Sequence, residues 1–431
     1  MKILGRSGRP GHSATSAHLQ AAYPFIAEGG LGAPGAYVGV DAYGGSFCFD
    51  PWAAYAHGVL SGPNMLVIGQ IGKGKSALIK SYIARQRVFG RQAWALDPKS
   101  EYAPLARALG GRPIALAPGG GVRLNPLSPR LGREGQLSLL RSVAIAALAR
   151  ELLPEEDAGL RVALEAVAER ASAEPTLPEV VAALLAPSEE MASKLSTDSL
   201  ALAEAARQAA LALQRLCDGD LRGMFDGPTS GGLDLDAPLV VLDLSAVQDS
   251  AALGILMTCA AAWQQGVVME RGRAARAEGG DGGAKVLVCV DEAWRIASDL
   301  GAAQWLQRSF KLSRAHGVAN VIALHRLSDL GAAGAAGSRE ARIAEGLIAD
   351  ADTKVIFAQP PDQLQALRNL LGLSATEAEL IPSLRRGEAL WQVGRRSFLV
   401  QHRLSTLERE LVDTDGRMLD GREPPQVEGP R

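Results

Sequence analysis

The feature that most constrains this chain is a glycine-rich turn placed between an apolar strand and a helix. The turn reads Gly69-Gln-Ile-Gly-Lys-Gly-Lys75-Ser76 and matches the pattern G-x-x-x-x-G-K-[ST]. Met65–Ile68 before it is wholly apolar, and residues 75–88 after it have a helical pattern. In such a turn the glycines let backbone N–H groups surround phosphate oxygens, which predicts a nucleotide site.

The residue types in this turn also predict how the nucleotide is held. Lys75 would reach the β- and γ-phosphates, and Ser76 would offer its hydroxyl to Mg²⁺. The helix that follows would present its N-terminus to the anion. We therefore expect ATP and Mg²⁺ as cofactors. The predicted nucleotide-binding residues are Gly69, Gln70, Ile71, Gly72, Lys73, Gly74, Lys75, Ser76 and Ala77.

A second motif places two acids at the end of an apolar strand, Val286-Leu-Val-Cys-Val-Asp291-Glu292. Carboxylates at the carboxyl edge of a parallel sheet lie where ligands bind in α/β folds. We predict that Asp291 holds Mg²⁺ and that Glu292 acts as the general base for water. Taken alone, the pair is equally compatible with two solvated acids at a strand end.

Composition narrows the class of protein. The chain has 431 residues, of which 47% are hydrophobic and 21% charged, so it is globular. A formal net charge of -2 argues against a generally basic protein that coats nucleic acid. The longest apolar run, at about 251–263, is shorter than the ~20 residues that span a bilayer. We predict a cytoplasmic protein that reaches the inner face of a membrane only through partners.

Periodicity predicts an α/β fold with a parallel central sheet, an inserted all-α subdomain and a small N-terminal β element. Short apolar strands alternate with helices except at about 133–222, where the pattern is helical throughout. Arg271–Gly283, rich in Gly, Ala and Arg, is expected to be a flexible loop. The predicted divisions are a disordered tail (1–16), the N-terminal β element (17–64), the first part of the core (65–132), the inserted subdomain (133–222), the second part of the core (223–415) and a polar tail (416–431).

The order of these segments resembles that of the type IV secretion and conjugative-transfer ATPases, the TraC-like branch of the HerA–FtsK superfamily. Asp291-Glu-Ala-Trp294 is similar to the acidic motif of that family. Leu96-Asp-Pro-Lys-Ser-Glu-Tyr102 and Leu124-Asn-Pro-Leu127 resemble two of its other segments. The resemblance covers about residues 36–415 and implies a RecA-like P-loop NTPase core. It also implies a ring-forming motor, with a homo-hexamer and components of a secretion or conjugation machinery as partners.

The resemblance also suggests catalytic residues beyond the two motifs. His325 stands at the end of the strand after the acidic motif, where the family has a polar glutamine. A backbone-satisfied histidine is an equal alternative for His325. Superfamily rings complete each site with an arginine from the neighbouring subunit, and Arg314, Arg385 and Arg386 occupy positions that match. Asp97, at a strand end, is an open candidate for the site.

The resulting hypothesis is a Mg²⁺-dependent ATPase that drives conjugative DNA transfer or a type IV secretion-like system. The alternative is a HerA- or FtsK-like translocase that acts directly on DNA. A third possibility, a nucleotide-gated scaffold without hydrolysis, is disfavoured because binding alone does not need Glu292.

Overall fold

The computed structural model describes Leu31 and residues 34–170, 174–219, 221–247, 253–277, 285–293, 300–326 and 339–412. The predicted tails at 1–16 and 416–431 lie outside these ranges, as does Trp294.

The described strands are β1 (Ala36–Asp41), β2 (Ser46–Phe49), β3 (Met65–Ile68), β4 (Gln92–Asp97), β5 (Ile114–Ala115), β6 (Leu239–Asp243), β7 (Val286–Val290), β8 (Val318–Leu324), β9 (Thr353–Ile356), β10 (Glu388–Val393) and β11 (Arg396–His402). They form one sheet in the order β2-β1-β11-β10-β9-β3-β8-β7-β4-β6-β5. From β9 to β5 the neighbouring strands are parallel, whereas β9, β10, β11, β1 and β2 pair antiparallel.

The central strands are almost wholly apolar because both faces of the sheet are covered. In β3, Leu66 and Ile68 pack into one hydrophobic core, whereas Met65 and Val67 pack into the core on the opposite face. Side chains alternate between faces along a strand, so a strand buried on both sides cannot alternate apolar with polar residues. This explains the continuous apolar runs in the sequence.

Helices cover the sheet. The described helices are α1 (Pro51–Ala56), α2 (Lys75–Gln86), α3 (Ala103–Ala108), α4 (Gly132–Leu148), α5 (Pro154–Arg170), α6 (Leu177–Leu185), α7 (Glu189–Ser193), α8 (Ser199–Asp218), α9 (Leu253–Ala277), α10 (Leu300–His316), α11 (Arg339–Ala349), α12 (Leu364–Leu371), α13 (Ala375–Leu380) and α14 (Thr406–Val412). Among the described residues, five consecutive helices, α4 to α8, lie between β5 and β6 in the chain, and α4 packs against α9 and α10.

The α/β fold class is confirmed, and the structure adds one detail and corrects another. The predicted N-terminal β element contains the hairpin β1–β2, which extends the sheet of the core because β1 pairs with β11. The predicted loop at Arg271–Gly283 is wrong for its first part, since α9 continues to Ala277. Alanine and arginine are strong helix formers, and apart from Gly272 the glycines of this segment begin at Gly279. The domain boundaries stay a prediction.

None of the helices within the described ranges combines the length and the apolar character needed to cross a membrane.

Candidate nucleotide site

Sheet register brings the two sequence motifs together at one edge. β3 and β8 are neighbours with Ile68 opposite Leu324, so the phosphate loop and His325 leave the sheet side by side. β7 lies next to β8, with Val290 opposite Ile322. The acids that follow β7 therefore face the same edge, where the carboxyl ends of parallel strands form ligand sites.

The phosphate loop requires glycine at two positions for different reasons. Gly74, which precedes α2, has a φ of 111°, a conformation that side chains disfavour. Gly69 leaves β3 so close to Phe357 that a Cβ at this position would lie 2.5 Å from the Cβ of Phe357. The glycines found in the sequence therefore serve this backbone path as well as any ligand.

The start of α2 fits a phosphate group. Gly74 provides no side-chain cap for α2, and the first turn carries no acidic residue. The first N–H groups of a helix lack partners within the helix and attract anions. Ser76 lies in this same turn and is partly exposed, so its hydroxyl and the carboxylate of Asp291 are the side chains that would hold Mg²⁺. The residues present thus fit a Mg²⁺–nucleotide, and the metal would neutralise phosphate charge.

Lys75 is drawn into the loop rather than extended into solvent. Its residue exposure is 5%, and its Nζ donates to the carbonyl oxygens of Gly69 at 2.5 Å and Gln70 at 3.1 Å. The same Nζ lies 3.1 Å from Nδ1 of His325. Since a charged lysine only donates, Nδ1 of His325 is the acceptor and Nε2 carries the ring proton.

His325 connects this lysine to the proposed general base. Its Nε2 lies 3.1 Å from both carboxylate oxygens of Glu292. Glu292 is 6% exposed and adopts a φ of 56°, a left-handed conformation that is unusual for a residue with a side chain. Its Oε1 also accepts from Nζ of Lys99 at 2.5 Å. The structure therefore brings together Lys75, His325 and Glu292, three of the candidate residues named from the sequence, and adds Lys99.

Asp291 is held by two donors. Its Oδ1 accepts from the backbone N–H of Glu292 at 3.0 Å, and its Oδ2 accepts from the hydroxyl of Tyr102 at 3.1 Å. Burial raises the pKa of Tyr102 well above its usual value, and the nearby charge of Asp291 raises it further. The tyrosine thus stays protonated and remains a hydrogen-bond donor to the predicted metal ligand.

Asp97 supports the turn that carries Lys99 and Tyr102. It is 1% exposed, and its carboxylate accepts backbone N–H groups of Lys99, Glu101 and Tyr102 at 2.8–3.2 Å. Burial raises its pKa to about 6, although these hydrogen bonds oppose the shift. The structure thus gives Asp97 a structural role at the edge of the site.

The end of β11 is connected to the phosphate loop through backbone hydrogen bonds. The backbone N–H of His402 donates to the carbonyl of Gly387 at 2.8 Å, and the N–H of Gly387 donates to the carbonyl of Lys73 at 2.9 Å. The ring Nε2 of His402 lies 2.8 Å from Oγ of Ser81 on α2. Both the loop and its helix are therefore tied to the antiparallel part of the sheet.

This contact predicts an acid-sensitive stability. Burial, then the charge of Arg85, lowers the pKa of His402 from 6.5 to about 4, while Glu408 opposes the shift. Because the folded-state pKa is depressed, the stabilisation is present above pH 6.5 and lost as the pH falls towards 4. The loss is at most about 3 kcal/mol of unfolding free energy.

Urea unfolding at intervals from pH 7 to 4 tests this expectation against His402→Gln, which keeps hydrogen-bonding groups but does not titrate. The wild type should lose more stability than the variant across this range. Parallel curves for the two proteins would refute the role of His402.

The three predicted arginines do not converge in one chain. Arg314 is exposed on α10, and its Nη1 donates to the carbonyl of Ser61 at 3.3 Å. Arg385 and Arg386 are exposed on the turn before Gly387, which abuts the chain's own phosphate loop. A role for any of them in a neighbouring subunit's site stays a prediction.

Sequence reasoning missed Lys99 and Tyr102 as members of the site. The available signal was their position just after a strand end, but the sequence does not reveal that β4 lies beside β7. Gln359, also at a strand end, donates through Nε2 to the carbonyl of His325 at 2.9 Å. It is 2% exposed, and within the described residues its Oε1 has no hydrogen-bond partner.

The parallel sheet, the phosphate loop between β3 and α2 and the acids after β7 define the RecA-like P-loop NTPase fold. Among solved structures, VirB4 of Thermoanaerobacter pseudethanolicus is similar with a TM-score of 0.68 and 22% identity, over 89% of this chain and 99% of that one.

The conjugative coupling protein TrwB is similar as well. Its unbound TrwBΔN70 form has a TM-score of 0.53 and 14% identity, over 80% of this chain and 85% of that one. Its complex with ADP and Mg²⁺ has a TM-score of 0.55 and 13% identity, with the same coverage. No family model matches the sequence, and no curated protein is similar to it. The resemblance seen in the sequence is thus confirmed at the level of the fold.

Proposed function

We propose that the chain is an ATP-hydrolysing motor of a conjugative DNA transfer or type IV secretion-like system. The observation that carries the proposal is the connected set Lys75, His325 and Glu292 at the mouth of the phosphate loop. A module that only binds nucleotide has no use for a buried carboxylate at that place. The fold shared with VirB4 over nearly the whole length of both chains supports the choice of system.

In the proposed reaction, water attacks the γ-phosphorus of ATP, and the bond to the β,γ-bridging oxygen breaks. Glu292 accepts the proton of the attacking water as the new P–O bond forms. Lys75 leaves the carbonyls of Gly69 and Gln70 and stabilises the charge that develops on the phosphate oxygens. His325 contacts both Lys75 and Glu292 and therefore couples the position of one side chain to that of the other.

The proposal extends to assembly and location. A homo-hexamer would let Arg314, Arg385 or Arg386 of a neighbouring subunit reach the phosphates and stabilise the transition state. We place the protein in the cytoplasm, with any contact to the inner membrane face made through components of the secretion machinery.

Steady-state ATP hydrolysis tests the function, with and without single- and double-stranded DNA, at two salt concentrations and with Lys75→Ala as the blank. We expect Mg²⁺-dependent turnover above the blank. Turnover indifferent to DNA favours a secretion motor stimulated by a partner protein. Turnover raised by DNA, and more so at low salt, favours the alternative translocase that acts on DNA directly. Turnover no higher than the blank in all conditions would refute the ATPase.

A further inference from the structure

The turn after β4 reaches across the sheet edge and contacts both acids of the site. Lys99 donates to Oε1 of Glu292 at 2.5 Å, and three residues later Tyr102 donates to Oδ2 of Asp291 at 3.1 Å. These contacts follow from register, because Leu96 of β4 lies opposite Val290 of β7. One short segment thus holds the predicted general base and the predicted metal ligand together.

This segment is a constrained turn. Asp97 binds three of its backbone N–H groups, as described above. Ser100 adopts a φ of 56°, and its hydroxyl donates to Oδ2 of Asp243 at 2.7 Å. Glu101 pairs at 3.4 Å with Lys80, whose side chain is wholly buried. Lys99 is therefore presented to Glu292 by a framework fixed on both sides.

The carboxylate of Glu292 is held by two cationic or N–H partners. Oε1 faces both the ammonium of Lys99 and Nε2 of His325, and Oε2 faces the same nitrogen. A general base needs an oxygen lone pair directed at the water it deprotonates. The ammonium of Lys99 stabilises the charged carboxylate and therefore opposes this proton transfer while the contact lasts.

Lys99 is the partner that can leave at the smaller cost. Its side chain is 42% exposed, whereas that of His325 is 25% exposed and that of Glu292 only 7%. An ammonium this exposed is readily hydrated once it leaves the carboxylate, whereas a more buried partner is not.

We propose that Lys99 is a positioning residue that restrains Glu292 in an inactive orientation, and that hydrolysis requires the Lys99–Glu292 ion pair to open. This inference rests on the proposed ATPase function and adds a way in which hydrolysis at the same site is prevented. Binding of ATP with Mg²⁺ opens this ion pair, because the negative phosphates compete with Glu292 for the ammonium of Lys99.

Zero-length cross-linking tests the contact without relying on turnover. A carbodiimide joins the Lys99 amine to the Glu292 carboxyl as an amide, and the water removed converts the carbodiimide to a urea. Mass spectrometry should find this product in the nucleotide-free protein. Its yield should fall at least about threefold with Mg²⁺ and a non-hydrolysable ATP analogue, because the pair is then open.

Two controls fix the meaning of that result. The exposed pair Lys194–Glu169, at 3.8 Å, provides a cross-link that the analogue should not change. Lys99→Arg should remove the product, because a guanidinium does not form the amide. No Lys99–Glu292 product, or an equal yield when direct titration shows the analogue to be bound, would overturn the restraint.

Turnover supplies the second test. Lys99→Met, similar in length but uncharged, should raise basal kcat roughly two- to fivefold, while Lys99→Arg, which keeps a positive charge, should show no such rise. A lower kcat in Lys99→Met would overturn the proposal and make Lys99 a catalytic cation. If no protein turns over ATP above Lys75→Ala and the analogue does not bind, the ATPase function itself is refuted, which the titration distinguishes from failure of the restraint alone.

Discussion

Replacing Glu292 with glutamine is expected to lower kcat for ATP hydrolysis by about 10²- to 10⁴-fold, the range a general base contributes. Glutamine has nearly the same shape, so the packing around this buried position and the contact to His325 are retained. Only the ability to take a proton from water is lost. The nucleotide should therefore still bind, and it should remain as ATP after long incubation.

The measurement is single-turnover hydrolysis together with the ATP content of the isolated complex. Glu165→Gln on α5, where Glu165 forms a half-exposed pair with Arg161, is the matched control and should behave as wild type. Unchanged turnover in Glu292→Gln would remove Glu292 from the mechanism and with it the strongest argument for hydrolysis.

Replacing Lys75 with alanine is expected to weaken ATP binding by roughly 30-fold or more. A buried charge pair that loses one partner costs about 2–5 kcal/mol, which corresponds to that change in Kd or a larger one. Lys75 is 5% exposed and already directed along the phosphate loop, where its Nζ donates to the carbonyl of Gly69. Hydrolysis should fall to the background.

Titration with a fluorescent ATP analogue measures the change, with Lys194→Ala in the helical insertion as the control. The alanine also leaves the carbonyls of Gly69 and Gln70 without this donor. Unfolding curves must therefore show that the variant is folded at the assay temperature. A folded variant that binds ATP as tightly as wild type would mean that the loop holds no phosphate.

The parts of the site that the sequence predicted are those encoded in contiguous residues. The phosphate loop is readable because its glycines, Lys75 and Ser76 occupy fixed spacings between a strand and a helix. Asp291 and Glu292 are readable because an apolar run ends in two acids. In each case the chemistry and the local structure are written in one short segment.

The parts that the sequence did not predict depend on which strands become neighbours. Nothing in the chain before folding shows that β4 enters beside β7, so Lys99 and Tyr102 could not be assigned to the acids. The joining of the N-terminal β element to the main sheet was not predicted for the same reason, since β1 pairs with β11 from the far end of the chain. The bridging position of His325 likewise follows from the adjacency of β3 and β8.

The left-handed backbone at Glu292 and Ser100 lowers the stability of the folded chain in favour of the site. A residue with a side chain in this conformation carries a penalty of about 1–2 kcal/mol that glycine avoids. A selection for thermal resistance would therefore favour glycine at both positions, and at Glu292 it would discard the carboxylate. Selection for thermal stability and selection for ATP turnover would thus favour different residues at these positions. In a search for more thermostable variants, Glu292 and Ser100 should be kept unchanged while the rest of the chain is varied.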